Sequence, residues 1–206
     1  MKQKMTVAIL VLIFSCSKKE VPIPVPSEEE YEIYAILIDS VYYGKYSIVY
    51  IADKTRKDGL HEYFAKTENF ITNYFSHSAF NFHFSQIKKY FKGPELTEIR
   101  YALNDYFEKN HQAYPLQMKF KLKQQNILID SKSNLFKHYR YIFEQSDNNS
   151  VIIELSRVGF NSNHDCAFLI FSSREGWRGK LCYVYLQKIN KKWVVKSIFG
   201  CIQSEV

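Results

Sequence analysis

The sequence predicts an α+β fold: an antiparallel β-meander of four or more strands, with N-terminal helices packed on one face. Apolar residues recur at helical spacing between residues 28 and 109, which predicts amphipathic helices. From 150 to 201 the chain is a series of β-branched and aromatic segments separated by short turns. Because parallel strands need long crossovers, these short links predict antiparallel pairing, with the helices covering the sheet.

Helices are predicted from capping residues and apolar stripes. Ser27 precedes a run of glutamates, which suits a capped, positively polarised helix start, and Gly44 ends this helix. Broad apolar stripes predict two further helices, over 60–77 and 95–109. Ser133 is predicted to cap a short helix after them.

Strands are predicted where β-branched and aromatic residues cluster between turn residues. They cover 46–53, 117–123, a segment near 126–130, 150–160, 166–172, 180–189 and 192–201. In 117–123 lysines alternate with Met118, Phe120 and Leu122, so we expect the lysines on the solvent face of a strand.

The N-terminus has the layout of an export signal. Lys2 and Lys4 precede an apolar run that ends at Phe14, and this run is too short to cross a bilayer. The order Ile-Phe-Ser-Cys that follows resembles the bacterial lipobox, which implies cleavage before Cys16 and lipidation of its thiol. The alternatives are an ordinary signal peptide with an incidental cysteine, or a buried apolar segment.

Residues 16–27 are predicted to form a flexible tether between a lipid anchor and a folded body. Prolines alternate at Pro22, Pro24 and Pro26, a pattern that favours an extended polyproline II spacer. The segment Ser-Lys-Lys-Glu after Cys16 also looks like the surface-export signal of some Bacteroidetes-type lipoproteins, or is a plain solvated linker. The predicted organisation is therefore a signal peptide at 1–15, a tether at 16–27 and one α+β domain at 28–206.

The net charge and the spacing of the cysteines indicate which classes of partner and cofactor to expect. The net charge is +7, and removal of residues 1–15 would leave +5. The lysines are spread rather than clustered, so we expect no nucleic-acid partner. Cys166, Cys182 and Cys201 lack metal-ligand spacing, which predicts no metal and no cofactor, and their disulfide state is left open.

The segments ELSRVGFNSNHDCAFLIF and CYVYLQKINKKWVVK resemble a group of bacterial exported proteins and lipoproteins. The resemblance covers roughly 95–200, and its specific part is L-S-R-V-G-F-N-S. It supports the predicted strands and implies no chemistry. Members of the group tend to have a Gly- and Cys-rich hairpin turn where this chain has SSREGWRGK, which leaves a disulfide at Cys182 open.

Arg157 is a weak candidate for a binding residue, because strand alternation places it on a face that otherwise reads as buried. A buried guanidinium without a carboxylate is costly. Three interpretations remain: a bulge at Gly159 that turns Arg157 outward, an ion pair with Asp165 or Glu154, or a site for an anionic ligand.

Trp177 is the second weak candidate, because it occupies a hairpin turn between Arg174 and Arg178. It would either stack on a sugar or contact a partner, or else fold back over the sheet edge. Catalysis has less support. Ser156, His164 and Asp165 are the residue types of a catalytic triad, but as neighbours on a strand and turn they cannot form it alone.

These observations predict a membrane-anchored bacterial lipoprotein whose domain binds an envelope glycan, peptide or protein without catalysis. Its expected location is the bacterial cell envelope, facing the periplasm or the surface. An envelope hydrolase with a site scattered through the fold is the alternative, so enzymatic activity is left open. A third possibility is a structural or inhibitory protein whose sheet face meets a partner.

Overall fold

The computed structural model describes residues 25–56, 81–130, 149–175 and 178–205. The predicted signal peptide, the helix at 60–77 and the short helix after Ser133 lie outside these residues. The helices are α1 (Glu28–Tyr42), α2 (81–87) and α3 (Gly93–Lys109). The strands are β1 (Ile48–Ala52), β2 (Gln125–Ile129), β3 (Ser150–Leu155), β4 (Gly159–Phe160), β5 (Cys166–Glu175), β6 (Arg178–Ile189) and β7 (Lys192–Glu205).

The strands form one mostly antiparallel sheet, so the predicted α+β class is confirmed. The order across the sheet is β2-β1-β3-β5-β6-β7, and β4 continues the line of β3 along β5. β3, β5, β6 and β7 pair antiparallel in that order. β1 pairs parallel with both β2 and β3, which long intervening segments of chain allow.

Helices cover both faces of the sheet, which corrects the expectation that they share one face. On β6, Val184 and Leu186 point into the same core as Tyr34 of α1. Tyr183 and Tyr185, which alternate with them, point into a second core with α3. A sheet with two buried faces needs a cover on each, and here α1 and α3 supply one each.

The start of α1 is built as the sequence predicts. Glu30 N donates to Ser27 Oγ at 3.2 Å, and Ser27 N donates to a carboxylate oxygen of Glu30 at 2.8 Å. This reciprocal pair is a capping box, which satisfies two backbone donors at the helix end.

The segment 117–123 is not a strand, so that prediction is wrong. It lies beside α1 without sheet pairing, bends where Lys119 N donates to Gln117 O at 2.8 Å, and exposes its lysines as expected. Phe120 packs edge-on against Tyr31, with ring centroids 5.2 Å apart. Phe120 is therefore buried against a helix rather than in a sheet, and Met118, the first apolar residue of the alternation, is 54% exposed.

No helix among the described residues is long and apolar enough to cross a membrane.

Candidate functional site

The sequence analysis named Cys16, Arg157 and Trp177, and only Arg157 falls within the described residues. Arg157 lies in a short irregular segment between β3 and β4, and it is only 5% exposed. Along β5, the partners of Leu155 and Gly159 are Phe171 and Phe168. The segment therefore holds one more residue than the facing stretch of β5, which is the signature of a β-bulge.

Arg157 forms a buried ion pair with Glu30, at the first turn of α1. Its Nε donates to Glu30 Oε1 at 2.7 Å, and its Nη2 donates to Glu30 Oε2 at 2.9 Å. Val158 N donates to the same Oε1 at 3.0 Å. Such a two-pronged contact is the geometry that best compensates the desolvation of an arginine and a carboxylate.

The partner in this ion pair is therefore Glu30, and neither of the two carboxylates expected from the sequence. Asp165 accepts instead from Asn161 Nδ2, at 2.6 Å. Glu154 accepts from Ser172 and lies 3.6 Å from Arg56. The bulge exists, but it does not turn the guanidinium of Arg157 outward.

The pKa values of Glu30 and Arg157 are both shifted in the direction that favours the charged form. Burial alone would raise the pKa of Glu30, but hydrogen bonds from Arg157 and Ser27 hold the pKa below its ordinary value of 4.5. Burial alone would lower the pKa of Arg157, but Glu30 raises it overall. Both groups are therefore ionised at neutral pH.

The residues around Arg157 fix the same segment to three elements. Arg157 N donates to Asn110 Oδ1 at 2.7 Å, just after α3. Tyr34 of α1 donates its hydroxyl to Ser156 O at 2.8 Å, and Ser156 Oγ accepts from Ile170 N of β5 at 2.9 Å. The L-S-R-V-G-F-N-S segment thus joins both helix layers to the sheet.

Gly159 explains why this segment can approach α3 so closely. A Cβ atom at this position would overlap the carbonyl oxygen of Ala102 and lie 2.7 Å from Tyr106 Cα. Only glycine allows two backbones to meet at such a distance.

The structure does not bring Ser156, His164 and Asp165 together as a catalytic triad. Ser156 is fully buried, and its hydroxyl is held by Arg157 O and Ile170 N. The ring Nδ1 of His164 lies 3.2 Å from Glu29, so this histidine is oriented by a helix α1 carboxylate instead.

A surface hollow between α3 and the turn after β4 is the candidate site. It has a volume of about 350 Å³. Its walls are hydroxyl, amide, charged and aromatic side chains, namely Tyr101, Asn104, Asp105, Lys109, Phe160, Asn161, Ser162 and His164. Sequence reasoning missed the four α3 residues, because they share one helix face with no recognisable motif.

An aromatic stack borders the hollow. The rings of Phe160 and His164 are stacked, with centroids 4.8 Å apart and planes 11° apart. Lys109 Nζ also lies over the Phe160 ring, 4.8 Å from its centroid. Trp193 packs against Phe160 at 5.8 Å. These contacts hold the wall of the hollow in place.

Glu29 of α1, which contacts His164, also accepts hydrogen bonds from side chains on β6 and β7. Lys188 Nζ donates to Glu29 Oε1 at 2.7 Å, and Trp193 Nε1 donates to the same oxygen at 3.1 Å. Burial alone would raise the pKa of Glu29, but Lys188, His164 and Trp193 lower it overall. The turn that carries His164 is thereby tied to α1, β6 and β7.

The three cysteines within the described residues form one disulfide and one free thiol. Cys182 and Cys201 are bonded across β6 and β7, which settles a point that the sequence left open. Cys166 is free and buried, and burial raises its pKa to about 12. A thiol with such a pKa is protonated at neutral pH and is a poor nucleophile.

No group of acidic, histidine or cysteine side chains within the described ranges is arranged to hold a metal ion. No family model, curated protein or solved structure matches the chain. The resemblance to bacterial exported proteins and lipoproteins therefore stays a prediction.

Proposed function

We propose that this protein is a bacterial lipoprotein, anchored through Cys16, whose α+β domain binds a ligand at the cell envelope without catalysis. Support for the anchor comes from the order Ile-Phe-Ser-Cys at the end of a short apolar run. The pattern of Pro22, Pro24 and Pro26 favours an extended spacer in the proposed tether, ahead of the capping box that opens α1.

Binding is carried by the hollow between α3 and the turn after β4. A concave site with convergent polar groups and an aromatic wall is the usual form of a ligand site. Two potential nucleophiles in the described core, Ser156 and Cys166, are poorly suited to catalysis, which favours a binding role. The Ser156 hydroxyl is engaged by backbone groups, and the Cys166 thiol is protonated and buried.

The anchor is tested by metabolic labelling with an alkyne-tagged palmitate in a bacterial host. The wild-type chain and Cys16→Ala are compared, with Ser17→Ala as the matched control, since Ser17→Ala changes a neighbouring side chain but keeps the thiol. We expect label on the wild type and on Ser17→Ala, and no label on Cys16→Ala.

Label on all three chains would place the lipid on another residue. Label on none would leave Cys16 as an incidental cysteine, and the proposed anchor would be wrong. Neither result bears on whether the hollow binds a ligand, so the two parts of the proposal are tested separately.

A further inference from the structure

We infer that the hollow between α3 and the turn after β4 is a subsite for a neutral sugar, an uncharged ring carrying several hydroxyl groups. The inference rests on the proposed binding function and adds the chemical class of the ligand. It depends on three features of the hollow: the balance of its charges, its unused polar groups and its aromatic wall.

Charge in the hollow is balanced within the protein. Lys109 Nζ donates to Asp105 Oδ2 at 2.6 Å and to Val158 O at 3.2 Å. Asp105 Oδ2 also accepts from Phe160 N at 2.8 Å. A charged ligand would compete with this ion pair for its partners and lose its own hydration, whereas a neutral ligand leaves the pair intact.

Three polar side chains of the hollow that make no hydrogen bond within the described protein can each both donate and accept. Within the described ranges, the side chains of Tyr101, Asn104 and Ser162 form no hydrogen bond, and all three are exposed. A phenol, an amide and a hydroxyl each combine donor and acceptor capacity. Sugar hydroxyl groups have the same dual capacity, so they can satisfy these side chains in several arrangements.

Aromatic groups complete the match. Tyr101 is 52% exposed, and the His164 ring is stacked on Phe160 at one side of the hollow. Sugar rings present C–H groups on their faces, which pack on the electron-rich face of an aromatic ring. At about 350 Å³ the hollow is at the small end of ligand sites, which suits one or two sugar units.

The experiment is saturation-transfer difference NMR on the full chain, as the expressing cells process it. The protein is held in phosphatidylcholine nanodiscs if it carries a lipid, and in buffer if it does not. The neutral probes are methyl α-D-glucopyranoside, methyl α-D-mannopyranoside and N,N′-diacetylchitobiose. The charged probes are glucuronate and glucosamine, and N-acetyl trialanine amide stands for a peptide. Irradiation in the aromatic region avoids the lipid.

Three variants locate the site. Tyr101→Ala and Asn104→Ala change exposed hollow residues on α3, where alanine suits a helix. Tyr43→Ala is the matched control, since Tyr43 is 57% exposed just after the far end of α1. Urea unfolding of each variant verifies that the fold is retained.

We expect a neutral probe to bind with a millimolar Kd and more strongly than either charged sugar. Tyr101→Ala should weaken binding about fivefold, as loss of one aromatic stacking contact does. Asn104→Ala should also weaken binding, and Tyr43→Ala should leave it unchanged.

Two results would overturn the inference while leaving a binding role for the hollow. One is a Tyr101-dependent response from a charged sugar alone, and the other is such a response from the peptide probe alone. Sugar binding that responds equally to Tyr101→Ala and Tyr43→Ala would remove the site from the hollow. No response from any probe would overturn both the sugar subsite and the binding role of the hollow.

Discussion

Replacing Glu30 by glutamine should be among the most damaging single changes of similar size in this protein. Glu30 Oε1 accepts hydrogen bonds from Arg157 Nε and Val158 N. Glu30 Oε2 accepts from Arg157 Nη2 and Ser27 N. Whichever way a glutamine side chain is turned, its NH₂ group would face two of these four donors.

The cost can be worked from those contacts. Each buried donor left without an acceptor costs about 1–3 kcal/mol, and more when it is charged. Loss of one partner of a buried ion pair costs about 3–5 kcal/mol by itself. We therefore expect Glu30→Gln to lower the free energy of unfolding by about 4 kcal/mol.

The assay is urea unfolding followed by tryptophan fluorescence, in a double-mutant cycle of Glu30→Gln, Arg157→Met and both together. The double variant should cost about 2 kcal/mol less than the sum of the two single variants, because it leaves no unpaired guanidinium. Glu32→Gln is the control, since Glu32 is exposed on the same helix and should change stability by less than about 0.5 kcal/mol. A cost below about 1 kcal/mol for Glu30→Gln, or strict additivity in the cycle, would refute the reasoning.

Three further predictions concern the same fold. Gly159→Ala should destabilise the protein by about 3 kcal/mol or more, because the added Cβ would overlap the α3 backbone. At Gly44 an added Cβ meets no atom, so Gly44→Ala should cost only about 1 kcal/mol, for its positive-φ backbone. Equal costs in urea unfolding would contradict this. Dithiothreitol should lower the stability of the wild type by about 3 kcal/mol, since the Cys182–Cys201 bond links residues 19 positions apart in the sequence. It should not affect a variant with both cysteines changed to alanine, and insensitivity of the wild type would contradict the bond. Because the folded-state pKa of Glu30 lies below 4.5, its contribution to stability should be complete above about pH 4.5 and disappear as the pH falls through the folded-state pKa; a Glu30→Gln variant with the same acid dependence as the wild type would contradict this.

Features with a local cause were predictable from the sequence. The start of α1 follows from Ser27 and the glutamates after it, and the structure shows the capping box they form. The strands of the last third follow from their β-branched and aromatic content.

The two-sided cover of the sheet was readable in part. Residues 166–171 of β5 form an unbroken apolar run, and all are buried. Such a run is typical of a strand covered on both faces, whereas alternation is typical of one covered face. The expectation of helices on one face did not take this apolar run into account.

Contacts between distant parts of the chain could not be predicted. Glu30 and Arg157 are 127 residues apart, and no local pattern pairs them. The four α3 residues likewise form a hollow only together with the turn after β4, which the tertiary fold places against them. The burial of Arg157 could be anticipated from strand alternation, but the identity of its partner depends on the tertiary fold.

Attachment of a lipid to Cys16 would determine where this protein acts. Intact-mass spectrometry of the purified chain tests this attachment most directly. The proposal predicts a chain that begins at Cys16, lacks residues 1–15 and carries the added mass of a lipid on that residue. A chain that keeps residues 1–15, or one cleaved elsewhere without lipid, would contradict the claim.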